Sequence, residues 1–165
     1  MKVSKWLIAV LVVAMFAVFA LGSGDSETTD QGAGKAETKA TVAGEIGKYS
    51  LVIDSCRLAE DYSGKPVVIV KYIFKNVADE NAASFMVAFD DAVYQAGVGL
   101  NAAYMLDDSA NYSSDNQMKE IKKGASLEVE VAYELNDTTT DIEVEVKELF
   151  SFQDKCLTKT FAIAQ

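Results

Sequence analysis

Histidine is absent from this sequence. That removes the usual general base near neutral pH and the commonest metal ligand. Basic residues are in deficit, with 15 Lys and Arg against 25 Asp and Glu, a formal charge of −10. An acidic surface repels phosphate backbones and anionic lipid head groups, so nucleic-acid binding is disfavoured and membrane contact is expected only through the N-terminal segment. Cysteine occurs twice, at Cys56 and Cys156, and neither has a histidine to activate it as a nucleophile. No nucleophile elbow and no metal-ligand cluster appears. No enzyme and no cofactor are therefore expected. Proline occurs once, at Pro66, where it can begin a strand but not continue a hydrogen-bonded ladder.

The one long apolar run is Trp6 to Leu21, preceded by Lys2 and Lys5. Ala20 and Gly22 are small residues at the −3 and −1 positions of a cut before Ser23, the layout of a secretory signal peptide. The run is slightly short of the roughly 20 residues a spanning helix needs. Residues 1–22 therefore read as a signal peptide cleaved between Gly22 and Ser23, or as an uncleaved N-terminal anchor, and either one exports the rest of the chain. A lipid anchor at this junction needs a cysteine thiol, which Ser23 does not supply. Residues 23–45 are rich in Gly, Ser, Thr, Ala and charge without an aromatic, and read as a disordered spacer.

From Ile46 the hydrophobic period becomes two. Leu127, Val129, Val131, Tyr133 and Leu135 share one face of a strand, with Glu128, Glu130 and Glu134 on the other. Ile142, Val144 and Val146 alternate with Glu143, Glu145 and Lys147 after the turn NDTTTD, so the two runs read as a hairpin with an acidic outer face. That face is expected to be a solvated guard against edge pairing, with a docking patch for a basic partner as the alternative. PVVIVKYIFKN is apolar on nearly both sides and is placed centrally. Further strands are expected around Tyr49 to Ile53, Phe85 to Phe89, Leu100 to Met105 and Leu157 to Ile163. About seven antiparallel strands with little helix, in residues 46–165, predict a β-sandwich, because a lone sheet would leave one apolar side wet.

DYSGKP (Asp61 to Pro66), FKN (Phe74 to Asn76), Gln95-Ala96-Gly97 with Leu100, EIKKG (Glu120 to Gly124) and AYEL (Ala132 to Leu135) follow one another in a recognisable order. Together, over about Tyr49 to Val146, they resemble a bacterial domain of unknown function found in Gram-positive surface lipoproteins. The resemblance implies an immunoglobulin-like, telokin-like fold and an extracellular or cell-envelope location, and it brings no catalytic residues. The sequence departs from the family at Lys123, where a proline is usual, and at Ser23, where many members carry the lipidated cysteine. A non-catalytic module that binds a protein, peptide or glycan at the envelope is the expected role. A phage-exclusion or stress protein acting on a membrane partner is the alternative that the resemblance suggests.

First and last strands often lie side by side in such sandwiches, so a disulfide between Cys56 and Cys156 is expected, with two small buried thiols as the alternative. It would close a loop of roughly 100 residues, worth up to about 4–5 kcal/mol by chain entropy. DDSANYSSDNQM fails as a calcium loop, since Tyr112 stands where glycine is needed and Met118 where glutamate is needed. A looser cation site, with Asp90 or Asp91 converging on Asp107 or Asp108, is the remaining arrangement, and Asp115 adds a carboxylate to the same region. Tyr94, Tyr104 and Tyr112 are available as aromatic platforms. The loop Asp107 to Gln117 is the expected contact site.

Overall fold

The structure is a computed structural model and describes residues 42–151 and 155–163. The signal or anchor segment, the junction at Gly22 and Ser23, and the spacer up to residue 41 lie outside the described residues. The spacer expected over 23–45 ends earlier, because Val42–Ile46 is a strand, β1, paired from Val42 opposite Ile53 to Ile46 opposite Tyr49. Composition hides this strand, since Gly44 reads as a flexible residue. In the fold it permits a close approach: a Cβ at Gly44 would come within 2.7 Å of Leu157 Cδ2. Gly47, at φ +59°, makes the tight turn that follows in a conformation glycine adopts at little cost.

The other strands are β2 Tyr49–Glu60, β3 Pro66–Asn76, β4 Phe89–Gln95, β5 Val98–Gly99, β6 Ser126–Glu134, β7 Ile142–Glu148 and β8 Cys156–Phe161. Two single-turn helices, α1 Phe85–Ala88 and α2 Asp115–Met118, lie just before β4 and between β5 and β6. Among the described residues these strands form two antiparallel sheets, ordered β1-β2-β3-β6 and β5-β4-β7-β8. The chain changes sheet after β3, after β5 and after β6, the path of an immunoglobulin-like sandwich. No described helix is long and apolar enough to cross a membrane.

The core lies between the sheets. Leu51, Ile53, Val68, Val70 and Val129 face Val93, Ile142, Val144 and Val146. Aromatic rings stitch the two layers: Phe89 meets Tyr49 at 5.6 Å and Phe74 at 5.5 Å, while Phe85 meets Tyr72 at 5.1 Å. Phe85 to Phe89 is not the strand its alternation suggests. The buried residues are Phe85, Ala88 and Phe89, a spacing of three and four that a helical turn provides, with Met86 and Val87 exposed.

The second face of β3 is covered in a different way. Val67 and Ile69, with Ala132 of β6, form a smaller core with Ala103, Leu106 and Ala110. No strand forms over Leu100 to Met105. Residues 101–112 instead run as an irregular strap across the outside of the first sheet. Arg57 ties the strap down, donating to the carbonyls of Ala110 (2.7 Å) and Asn111 (3.2 Å) while it pairs with Glu130 at 2.9 Å. The strap and α2 also close the free edge of β6. Asn116 donates to the Glu128 carbonyl, Gln117 to the Glu130 carbonyl and the Ala103 amide to the Ala132 carbonyl. Few edge groups of β6 are left for a foreign strand.

β6 and β7 are not a hairpin, since they belong to opposite sheets and are joined by an arch. The arch is held by Gln95, 1% exposed. Its amide donates to the carbonyls of Asp137 and Thr140, both at 2.9 Å, and its oxygen accepts from the amides of Asn136 and Asp137. Asp137 accepts from the amides of Thr139 (2.8 Å) and Thr140 (2.7 Å), and these bonds hold its carboxyl down at about 2.

A bulge at Asp54 shifts the β2 register between Ile53 and Ser55. It turns Cys56 toward the core, opposite Val70, and Arg57 outward. The Ile53 and Asp54 carbonyls left at the bulge accept from the ammonium of Lys159, at 2.9 and 2.8 Å. Lys159 is 7% exposed, comes from β8 in the opposite sheet, and lies 4.3 Å from the centre of the Phe161 ring.

Two outcomes follow from these contacts. Lys159→Met strands the bulge carbonyls and should destabilise the domain by about 2–3 kcal/mol, read as a lowered urea midpoint. A depressed carboxyl stabilises the fold above its unfolded value, near 4, and loses that effect as pH falls toward 2. Asp137→Asn should therefore be less stable than the wild type at pH 7, and the difference should close between about pH 4 and pH 2 in paired denaturation curves.

Candidate functional site

The expected sites are dispersed by the fold. Cys56 and Cys156 are not joined by a disulfide. Cys56 packs against the core, whereas Cys156 shares the outward face of β8 with the exposed Thr158 and Thr160, opposite the inward Leu157. The strand carrying Cys56 is also not first in its sheet, because β1 occupies the edge. The acidic hairpin face divides between the two outer surfaces: Glu128 and Glu130 pair with Lys71 and Arg57 on one sheet, and Glu145 lies 3.6 Å from Lys147 on the other.

The loop carboxylates do not converge either. Asp107 accepts from the Ser109 amide and Asp108 from the Tyr62 hydroxyl, while Asp91 is inside the sandwich. Among the described residues no three acidic or cysteine side chains gather to hold a metal ion. Asp107 to Gln117, expected as a free contact loop, is in large part occupied as strap and edge cover, with Ala110 and Tyr112 in the smaller core.

What the fold does build is a cleft of about 490 Å³ where β4 and β6 diverge. Phe85 and Phe89 line it from α1 and β4, Val131 and Tyr133 from β6, and Tyr112 and Gln117 from the far end of the strap and α2. At its mouth stand Met86, Tyr104 and Met118, which are 54%, 86% and 75% exposed. Large apolar side chains gathered in this way around a concavity mark interaction surfaces more often than chance exposure does.

A carboxylate faces into this cleft. β4 turns Phe89, Asp91, Val93 and Gln95 toward the opposite sheet, and Asp91 stands opposite the fully buried Val146. The Tyr133 hydroxyl donates to Asp91 Oδ2. Burial pushes the Asp91 carboxyl above the usual range, against the lowering effect of the Tyr133 and Tyr72 hydroxyls, and the nearby charge acting on it is that of Asp90, also negative. Burial raises Tyr133 and Tyr72 as well, keeping both phenols protonated. The Tyr72 hydroxyl lies beside this pair, wholly buried, and makes no well-formed hydrogen bond to any described residue. Such a group costs free energy that packing alone does not return.

The sequence carried a signal for this site in the inward phase of β4, where a lone acid interrupts Phe89, Val93 and Gln95. The carboxylates of the Asp107–Asp108 loop, expected to converge on it around a metal ion, do not reach it. Asp91 has no second carboxylate facing it across the cleft; its partners are phenols.

This architecture defines a small immunoglobulin-like β domain with a cleft at one end of the sandwich. The chain belongs to the family called domain of unknown function DUF5067, whose model matches residues 25–148. Two solved structures share the fold, each of a "putative lipoprotein". The one from Bacillus subtilis is 16% identical with a TM-score of 0.56 and covers 75% of this chain, which spans 39% of that protein. The one from Staphylococcus aureus is 18% identical with a TM-score of 0.54, and the match covers 74% of this chain and 93% of that one. Comparison with curated proteins finds no match.

A buried acid whose folded value is raised favours the fold fully below its unfolded value, near 4, and loses that contribution as pH climbs through the folded value. Asp91→Asn keeps an acceptor for Tyr133 and removes the charge. It should melt higher than the wild type at pH 7, with the two curves converging below about pH 4. A variant that melts lower at pH 7 would show that the ionised carboxylate supports the fold.

Proposed function

We propose that this domain is a non-catalytic binding module, displayed outside the cytoplasm at a Gram-positive cell envelope, and that its partner docks at the cleft between β4 and β6. The observation that carries the reading is an exposed rim of Met86, Tyr104 and Met118 around a carboxylate set into the sandwich. Stability alone accounts for neither feature: the acid is costly where it lies, and the rim side chains are left in water. Both structural neighbours are described as lipoproteins, and Trp6 to Leu21 would deliver the domain to the same side of the membrane. With Ser23 at the junction, delivery ends in release or in retention by the apolar run, without a lipid.

The test is site-specific photocrosslinking on intact cells. A photoreactive residue placed at Tyr104 or at Met118 should give a discrete adduct. The same residue at Thr158, on the outward face of β8, should give none. Equal labelling from all three positions, or no adduct from the two rim positions, would remove the cleft as the docking site.

A further inference from the structure

The chemistry of the cleft narrows what enters it. Among the described residues its lining contains two carboxylates, Asp90 and Asp91, and no lysine or arginine. Of these, Asp90 stands opposite Lys147 on the adjacent strand, whereas Asp91 points inward, where the Tyr133 and Tyr72 phenols and its own backbone amide are beside it. Charge complementarity therefore calls for a cation at Asp91. One of the two Asp91 oxygens is already taken by Tyr133. A guanidinium fork needs two coplanar oxygens to pair well, and Tyr133 already occupies one of them. An ammonium needs only separate acceptors around a point charge. The Asp91 oxygen that Tyr133 does not hold supplies one at the wall of the cleft.

The route to that point is apolar. Met86, Tyr104 and Met118 frame the mouth, and Phe85 and Val131 line the wall. Methionine adapts to irregular aliphatic stems, and aromatic faces tolerate a cation passing over them. A flexible methylene chain ending in a positive charge has this character, and the wide mouth leaves room for flanking residues. Deepening the binding-module reading above, on which it rests, we propose that the cleft receives a lysine side chain of a partner polypeptide, its ammonium on Asp91 and its methylenes between Met86, Tyr104 and Met118.

The experiment is a titration followed by the NMR signals of the Met86 and Met118 methyl groups. The probe is acetyl-Leu-Lys-Leu-amide. It is compared with the same tripeptide carrying Nε-acetyl-lysine, norleucine or arginine, and with free n-butylamine. The lysine peptide should shift both methyl groups saturably. Acetylation, norleucine and the Asp91→Asn variant should each weaken binding by about tenfold or more, arginine less severely, and n-butylamine should bind more weakly than the peptide. Equal binding of the norleucine peptide would overturn the role of charge. Equal binding of n-butylamine would overturn the assignment to a polypeptide, and no saturable shift with the lysine peptide would overturn the proposal outright. The acetyl-lysine comparison uses the wild-type protein, so it holds whatever the variant does to folding. Crosslinking at the rim with a failed titration would leave the docking site standing and remove the lysine; failure of both removes both.

Discussion

β3 must be kept dry on both of its faces, and the rest of the molecule answers to that requirement. Tyr72, Phe74, Val68 and Val70 point one way, Val67 and Ile69 the other, and all six are fully or almost fully buried. A second sheet can cover only one face. The other face needs a separate layer, and the chain supplies it with the strap rather than with a third sheet. Arg57 is available to hold the strap because the bulge at Asp54 turns it outward. An irregularity in β2 thus decides how the far side of β3 is closed.

The strap also shapes the cleft. In crossing from β6 toward the end of β2 it carries Tyr104 and Tyr112 past the gap between the sheets, and α2 brings Met118 and Gln117 back to it. Without a second covering layer there would be no far wall, and Asp91 would sit at an ordinary open sandwich edge. Edge protection, outer-face burial and the concavity are therefore three results of one segment. Its only regular structure is a 3₁₀ turn and one turn of helix.

Much of this architecture can be read from residue alternation. β3, β6, β7 and β8 follow it closely, and the two-sided apolarity of PVVIVKYIFKN places that strand in the interior of its sheet. The errors have separate physical origins. β1 was hidden because Gly44 is needed for a close approach and looks like linker. The β6–β7 connection reads as a hairpin because alternation fixes which face a strand buries, not which sheet it joins; that choice is made by the hydrogen bonds of Gln95, remote in sequence. The disulfide expectation failed on phase, since Cys56 faces the core from one sheet while Cys156 falls on the outward set of β8 in the other. For the cleft, Asp91, Tyr104 and Tyr112 were named in advance, but as a loop carboxylate and as separate aromatic platforms rather than as one lining. The phenols of Tyr72 and Tyr133 belong to strands whose adjacency appears only in the folded sheet.

Lys159 reaches across the sandwich to β2 near the place where a cystine was expected to do so. A link made from an ammonium and two carbonyls forms as soon as the strands meet, with no electron acceptor and no thiol exchange. Its strength is the same in a reducing cytosol and in an oxidising exterior. This tie between the sheets therefore asks nothing of the redox state of the compartment in which the strands meet.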